Sequence, residues 1–145
     1  MVIIILILLI VWFVVSYNSL IAKKYRVKEA ASDILVQLKR RFDLIPNLVA
    51  VVKGYASHEA ETLEKITAMR SQFNESKNIL EADKINKEIS KDIKNVLVSV
   101  EAYPELKANE NFLELQKELS DTENKIQASR RFYNNAVKEY NIAIH

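Results

Sequence analysis

Hydrophobic side chains fill the first 15 positions of the chain without a break (MVIIILILLIVWFVV), and the uncharged stretch continues through SYNSLIA to Ala22. A helix of about 20 mainly apolar residues can cross the roughly 30 Å of hydrocarbon in a bilayer. No basic segment precedes the run and no small-residue cleavage motif follows it, which disfavours the alternative of a cleaved signal peptide. The pattern therefore predicts a transmembrane anchor over residues 1–22.

Amphipathic and basic side chains cluster at the end of this run. Tyr17 and Tyr25 lie where aromatic side chains usually meet the membrane surface, and Lys23, Lys24 and Arg26 follow the apolar residues directly. We expect these five residues to lie at the membrane interface. Because only the α-amino group is basic before the run, the positive-inside rule predicts an external N-terminus and a cytoplasmic body. A body outside the cytoplasm is the alternative.

After Ala22, apolar residues recur at spacings of three and four, which predicts helices. The first helix continues from the anchor to Phe42, and the chain then turns before Pro46, with Asp43 able to cap the next helix. The second helix extends to Met69, and Gly54 within it is interpreted as a close approach of a neighbouring helix. Its predicted buried stripe is Leu44, Leu48, Val51, Tyr55, Leu63 (or Thr62), Ile66 and Met69.

Two more helices complete the body. The third carries apolar residues from Ile85 to Tyr103 and is ended by Pro104. Long helices joined by short turns predict an antiparallel four-helix bundle over residues 23–145. The fold class is thus all-α, with the transmembrane helix continuing into the bundle. The fourth helix has the most regular stripe: Phe112, Leu115, Leu119, Thr122, Ile126, Ser129, Tyr133, Ala136 and Tyr140.

Composition excludes several classes of function. The 145 residues include 21 basic and 19 acidic side chains, no cysteine and one glycine. Without cysteine there is no disulfide, thiolate zinc site or cysteine nucleophile, and one glycine excludes a glycine-rich phosphate loop. The net charge is only +2, and acidic residues are interspersed with basic ones, so we expect no nucleic-acid partner.

The remaining titratable residues do not form a catalytic pattern. His58 begins the sequence HEAE, which lacks the second histidine of a zinc-binding HExxH motif. Glu110, Glu114 and Glu118 are spaced four residues apart, but a di-iron site also needs Glu-x-x-His motifs, which are absent. The sequence therefore predicts no catalytic residue, cofactor, metal or small-molecule substrate, and a protein that is not an enzyme.

A polar seam beside the apolar stripe of the first helix is a candidate interaction site. Its residues are Asp33, Gln37, Arg40, Arg41 and Asp43, and Asp33, Gln37 and Arg41 follow one another at four-residue steps. Such a seam can fix the register of packed helices or mediate assembly, or it can simply face water.

Three long blocks of the sequence resemble the LemA family. They are YNSLIAKKYRVKEAASDILVQLKRRFDLIPNLVAVVKGYASHE after the anchor, VEAYPELKANENFLELQKEL (residues 100–119) and TENKIQASRRFYNNAVKEYNIAI (residues 122–144). Ala31 departs from the family, which has tryptophan at this place. The resemblance implies a short membrane anchor followed by a long four-helix bundle, without enzymatic activity or agreed ligand-binding residues. Magnetosome relatives imply a link to membrane organisation.

Two functional hypotheses follow. The first is a non-enzymatic, single-pass membrane protein whose bundle self-assembles as a scaffold on the lipid bilayer, so that a homo-oligomer is expected. The second is a membrane-tethered adaptor that binds a partner protein through the surface of the bundle.

Overall fold

The computed structural model describes residues 1–144, except for the side chain of Ser57. Six α-helices occur in this part of the chain, with single 3₁₀ turns at Ser57–Glu59 and Val100–Ala102, and it contains no strand. The all-α class is confirmed, while the antiparallel four-helix arrangement stays a prediction. The helices are α1 (Val2–Asp43), α2 (Ile45–Lys53), α3 (Ala60–Glu75), α4 (Ile79–Ser99), α5 (Pro104–Lys107) and α6 (Glu110–Ile144).

The described residues form two compact units. Unit 1 combines Met1–Asp33 with the chain from Ala128 onward, and unit 2 is Ile34–Gln127. The boundaries fall inside α1 and α6, so each of these helices contributes to both units.

The turn between α1 and α2 lies where it was predicted, but Asp43 does not cap α2. Asp43 is the last residue of α1, and Leu44, with helical backbone angles, takes the cap position without a side-chain hydrogen bond. The backbone N–H of Leu48 still donates to the carbonyl of Leu44 at 3.1 Å. Because the chain stays helical through Leu44, no extended residue is present to carry a capping side chain. Pro46 lies in the first turn of α2, where its missing N–H costs little.

The predicted second helix is broken, and the prediction of one continuous helix was wrong. α2 ends at Lys53, and the chain turns at Gly54 and Tyr55 before α3 begins at Ala60. A Cβ on Gly54 would have as its nearest neighbours the Val51 and Ala50 carbonyl oxygens, at 3.5 and 3.9 Å, so no neighbouring helix approaches closely. Glycine is the poorest helix former after proline, and the break occurs there.

The break also changes which side chains are buried. Tyr55, assigned to the buried stripe, is 42% exposed, and Val51 is only partly buried. Val52 and Ala56 are buried instead. The stripe was therefore shifted by one residue in this segment.

The core of unit 2 receives side chains from every helix in it. The rings of Phe42 and Phe73 stack with centroids 4.0 Å apart. Burying such side chains contributes roughly 1.5–3 kcal/mol each. Members of this core include Phe42, Ile45, Leu48, Leu63, Ile66, Ile89, Ile93, Val96, Leu106, Phe112 and Leu119.

The stripe predicted for the fourth helix lies on the buried face of α6. Phe112, Leu115, Leu119, Thr122 and Ile126 are all buried within unit 2. In unit 1, Ala136 is buried, and Ser129, Tyr133 and Tyr140 are partly buried. The hydroxyl of Thr122 donates to the carbonyl of Leu119 at 2.9 Å, which satisfies this polar interruption of the stripe.

Candidate functional site

The N-terminal part of α1 exposes a continuous apolar surface. The side chains from Met1 to Val15 are all exposed, and Trp12 and Phe13 remain 68% and 64% exposed. By length and composition, this is the one helix among residues 1–144 that is apolar enough to cross a membrane. Exposed apolar area of this extent marks contact with a membrane or another protein.

The five predicted interface residues occupy nearly three turns of α1 at the end of this surface. Tyr17 and Tyr25 are exposed, as are Lys24 and Arg26, whereas Lys23 is partly buried. Arg26 has partners on α6: its Nη1 lies 2.9 Å from Glu139 Oε2, and its guanidinium lies 5.3 Å from the centre of the Phe132 ring. The pair is half exposed, so it contributes well under 1 kcal/mol but fixes which parts of the two helices meet.

The residues of the predicted polar seam have different environments. Asp33 and Asp43 are exposed, and Gln37 is partly buried. Arg40 is half exposed, with Nη2 3.8 Å from Asp121 Oδ2 of α6. Arg41 is only 5% exposed. The five residues therefore do not form one continuous surface.

Arg41 is the centre of a buried polar cluster that joins three helices of unit 2. Its Nη1 donates to Asn86 Oδ1 at 3.1 Å and to Ser90 Oγ at 3.0 Å, both on α4. The same group forms an ion pair with Glu123 of α6. Asn86 is 1% exposed, so its amide oxygen is satisfied inside the protein. The cluster therefore joins α1 to α4 and α6 inside unit 2, and its role in helix register stays a prediction.

Sequence reasoning identified Arg41 but not its partners. The partners are ordinary polar residues that lie far from Arg41 in the sequence. Asn86, Ser90 and Glu123 follow it by 45, 49 and 82 residues, respectively. The available signal was the spacing of Asn86 between Ala82 and Ile89, both of which are buried. A polar residue in an apolar stripe is a candidate for a buried hydrogen bond.

A second charge pair, smaller and closer to the surface, joins α3 and α4. Lys65 Nζ lies 2.9 Å from Asp92 Oδ2; the carboxylate side chain is 8% exposed and the lysine side chain 60%. The flexible lysine stem allows the ammonium to remain hydrated while it neutralises a buried carboxylate.

One surface carboxylate has a shifted pKa. The hydrogen bond from Lys125 lowers the pKa of Asp121, and the positive charges of Lys125, Arg40 and Lys117 lower it further. Lys125 Nζ lies 2.8 Å from Asp121 Oδ2, one helical turn away. Asp121 is thus held as an anion beside Arg40.

The described residues do not assemble a metal site. No group of three or more His, Asp or Glu side chains within residues 1–144 is placed to hold an ion. His58 lies exposed in the 3₁₀ turn before α3. The open grooves of unit 2 are shallow; one, of about 400 Å³, lies at the α3–α4 turn between Glu75, Lys77, Glu81, Lys84 and Glu88.

Comparison with known proteins identifies the family. The LemA family profile matches residues 30–145. The chain is also 30% identical over 133 residues to Protein LemA of Metamycoplasma hominis, an alignment that covers 88% of this chain and 59% of that protein. The chain thus spans less than two thirds of the length of this curated relative. The resemblance seen in the sequence is confirmed, and the chain belongs to the LemA family.

Proposed function

We propose that this protein is a non-enzymatic, single-pass membrane protein whose helical body, packed as an antiparallel four-helix bundle, self-assembles into a scaffold on the bilayer. The observation that carries the proposal is α1, which is one helix from the exposed apolar run at Val2 to the core residue Phe42. A rise of 1.5 Å per residue gives its 42 residues a length of about 63 Å. Anchoring by this helix would confine all copies to one membrane surface, which raises their effective concentration and favours repeated contacts between neighbouring copies.

The proposed orientation has the N-terminus outside and the body in the cytoplasm. It is supported by Lys23, Lys24 and Arg26, which follow the apolar run directly. Each basic residue close to an anionic membrane surface adds about 1 kcal/mol to the attraction between the protein and the membrane.

The proposed assembly surface is an exposed face of α1 within unit 2. Val36, Arg40 and Asp43 lie at spacings of four and three residues and therefore share one face. Val36 is 58% exposed, and Asp43 is also exposed. An apolar side chain beside charges of both signs suits contact between identical surfaces, where each Arg40 can meet a carboxylate of the other copy.

Disulfide trapping of the full-length protein tests this surface directly. The chain has no cysteine, so Val36→Cys introduces a single thiol. Val98→Cys is the matched control because Val98 is 64% exposed on α4, away from the proposed face. In native membranes we expect covalent dimers from Val36→Cys under mild oxidation and few from Val98→Cys. Single-copy particles in polymer-bounded nanodiscs at all protein concentrations would refute self-assembly.

An adaptor function is the second candidate, and one face of α4 favours it. Leu80 and Val98, 81% and 64% exposed, are 18 residues apart and lie on the same side of the helix. Four exposed lysines lie between them on this side, so the face suits an acidic segment of a partner protein with apolar residues at both ends. The lysines are Lys84, Lys87, Lys91 and Lys94.

Crosslinking in cells distinguishes the two candidates. A photoreactive side chain at Leu80 should capture a different protein if the adaptor proposal holds, and the same group at Val36 should capture a second copy if the scaffold proposal holds. Replacing Lys87 and Lys91 by glutamate should abolish capture at Leu80 and leave capture at Val36 unchanged, because both lysines belong to the α4 face and neither belongs to the proposed face of α1.

A further inference from the structure

We infer that the last turn and a half of α6, Tyr140–Ile144, is a second membrane-contacting element that enters the lipid interface beside the N-terminal anchor. The inference concerns unit 1 and rests on the proposed role of residues 1–22 as a membrane anchor. It assigns a role to a part of the body that lies more than 100 residues from the anchor in the sequence.

The first step is which parts of the two helices pack together. Unit 1 combines the part of α1 before Ile34 with the part of α6 after Gln127, and inside it Arg26 pairs with Glu139. The C-terminal part of α6 therefore packs beside the N-terminal part of α1 in this unit.

The second step is the level that α6 reaches. Ile144 lies five residues beyond Glu139, which is about 7.5 Å of helix. The same distance back from Arg26 along α1 is Ile21, inside the uncharged run. The contact of Arg26 with the ring of Phe132 would place Ile144 still closer to the N-terminus of α1.

Burial along α1 agrees with this level. Residues 1–15 are all exposed, but Ser16, Leu20, Ile21 and Lys23 are partly buried. Besides this part of α1, unit 1 contains only the chain from Ala128 onward. Beyond α1 itself, this segment of α6 is the part of unit 1 available to shield Leu20 and Ile21.

The third step is the chemistry of the end of α6. Lys138 and Glu139 are its last charged residues, and the five that follow are Tyr-Asn-Ile-Ala-Ile. Ile142 and Ile144 are 67% and 51% exposed. Ala136, which is buried, marks the covered face; a rotation of 100° per residue places Ile142 about 120° from it, and Ile144 about 80° from it at the edge of that face.

A lipid interface is the occupant that these observations favour. The segment Tyr140–Ile144 has uncharged side chains and includes one aromatic residue. It reaches the level of α1 at which the apolar run meets the basic residues Lys23 and Lys24. Such a segment matches an element buried about 5–10 Å into the boundary between headgroups and acyl chains. The proposed anchor already brings this part of α1 to the membrane surface, so lipid is available to contact the end of α6. Contact with another protein would require a further partner.

Depth-dependent quenching in liposomes tests the inference on the full-length chain. Ile142→Cys receives an environment-sensitive fluorophore, and parallel liposomes contain lipids with a spin-label quencher either near the headgroup end of the acyl chain, to report Ile142, or near its middle, to report Leu8. Leu8→Cys in the apolar run is the anchor reference, and Leu80→Cys on α4, also strongly exposed, is the body control. We expect a blue-shifted emission and strong quenching for Ile142→Cys, and neither for Leu80→Cys.

Each outcome decides a different point. Quenching of Leu8→Cys without quenching of Ile142→Cys overturns the inference and leaves the anchor intact. Absence of quenching at Leu8→Cys would refute the proposed anchor itself. A third outcome is a fluorophore at Ile142→Cys that lipids do not quench and that is shielded from aqueous iodide only at high protein-to-lipid ratios. This result would mean contact with a second copy of the chain, and it would also overturn the inference. Ile144→Cys repeats the test if Ile142→Cys does not fold.

Discussion

Removal of the Arg41 guanidinium is the most informative perturbation of the body. Arg41→Met keeps the unbranched apolar stem and deletes the charge and the donors that reach α4 and α6. The substitution therefore separates the polar cluster from the packing of the stem against its neighbours. Arg40→Met, one position earlier, is a matched control, because Arg40 is half exposed and its nearest carboxylate oxygen is 3.8 Å away.

The structure sets the size of the expected effect. Asn86, at 1% exposure, loses the donor to its amide oxygen and cannot recover it from water, which costs about 1–3 kcal/mol. The Glu123 side chain is 31% exposed, so after the substitution it can turn toward solvent. Loss of its ion pair therefore adds only roughly 1 kcal/mol to the destabilisation. Ser90 keeps its own hydrogen bond to the Asn86 carbonyl. Relief of the desolvation of a buried charge offsets part of the sum.

We therefore expect Arg41→Met to lower the free energy of unfolding by about 2–3 kcal/mol, and Arg40→Met by less than about 0.5 kcal/mol. The assay is urea unfolding of the full-length protein in detergent micelles, followed by the helical circular dichroism signal. In thermal unfolding, a difference of this size lowers Tm by roughly 5–10 °C for a chain of this length.

Two results would refute the reasoning. If Arg41→Met and Arg40→Met destabilise the protein equally, burial does not determine the contribution of Arg41. In the double variant Arg41→Met with Glu123→Gln, the loss in the free energy of unfolding should differ from the sum of the two single losses by about 1 kcal/mol. If the losses simply add, the ion pair makes no coupled contribution to stability.

Three smaller predictions concern local structure. Gly54→Ala should stabilise the protein by about 0.4–1 kcal/mol in urea unfolding, since φ is −68° and a Cβ has room; a loss of stability would show that the turn needs glycine. Asn78→Ala should cost about 1 kcal/mol in the same assay, because its side chain accepts from the Glu81 N–H at 2.9 Å and caps α4; no change would refute the cap. Lys125→Gln should raise the pKa of Asp121, measured by carboxyl NMR titration, more than Lys117→Gln, because the hydrogen bond from Lys125 is the main cause of the lowered pKa. Since the folded pKa is lowered, the small stabilisation by this carboxylate is present at neutral pH and lost as the pH falls through that pKa.

Periodicity predicted the long helices because burial on one face leaves a repeating signal. The residues from Phe112 to Ile126 were assigned to the core from their spacing alone, and all five stripe positions in this stretch are buried. The break after Lys53 was not predictable in the same way. No proline marks it, and an apolar stripe read through Val51 and Tyr55 was as regular as the one that packs.

The polar cluster shows a different limit of sequence reasoning. Arg41 and Arg40 are the same residue type at adjacent positions, and only the rotation of 100° between them determines which one is buried. The partners of Arg41 come from α4 and α6, so their identity depends on tertiary packing that local sequence does not encode.

The order in which the ribosome makes α1 and α6 has a consequence for biosynthesis. Arg41 is synthesised 82 residues before Glu123, and Arg26 is synthesised 113 residues before Glu139. At roughly 5–20 residues per second, Arg41 waits about 4–16 s for its carboxylate partner. During that interval the nascent chain already carries its apolar run but not the helix that covers the other end of α1. Asn86 and Ser90 are made before Glu123, so the polar cluster is built in two stages and is complete only after translation has passed residue 123.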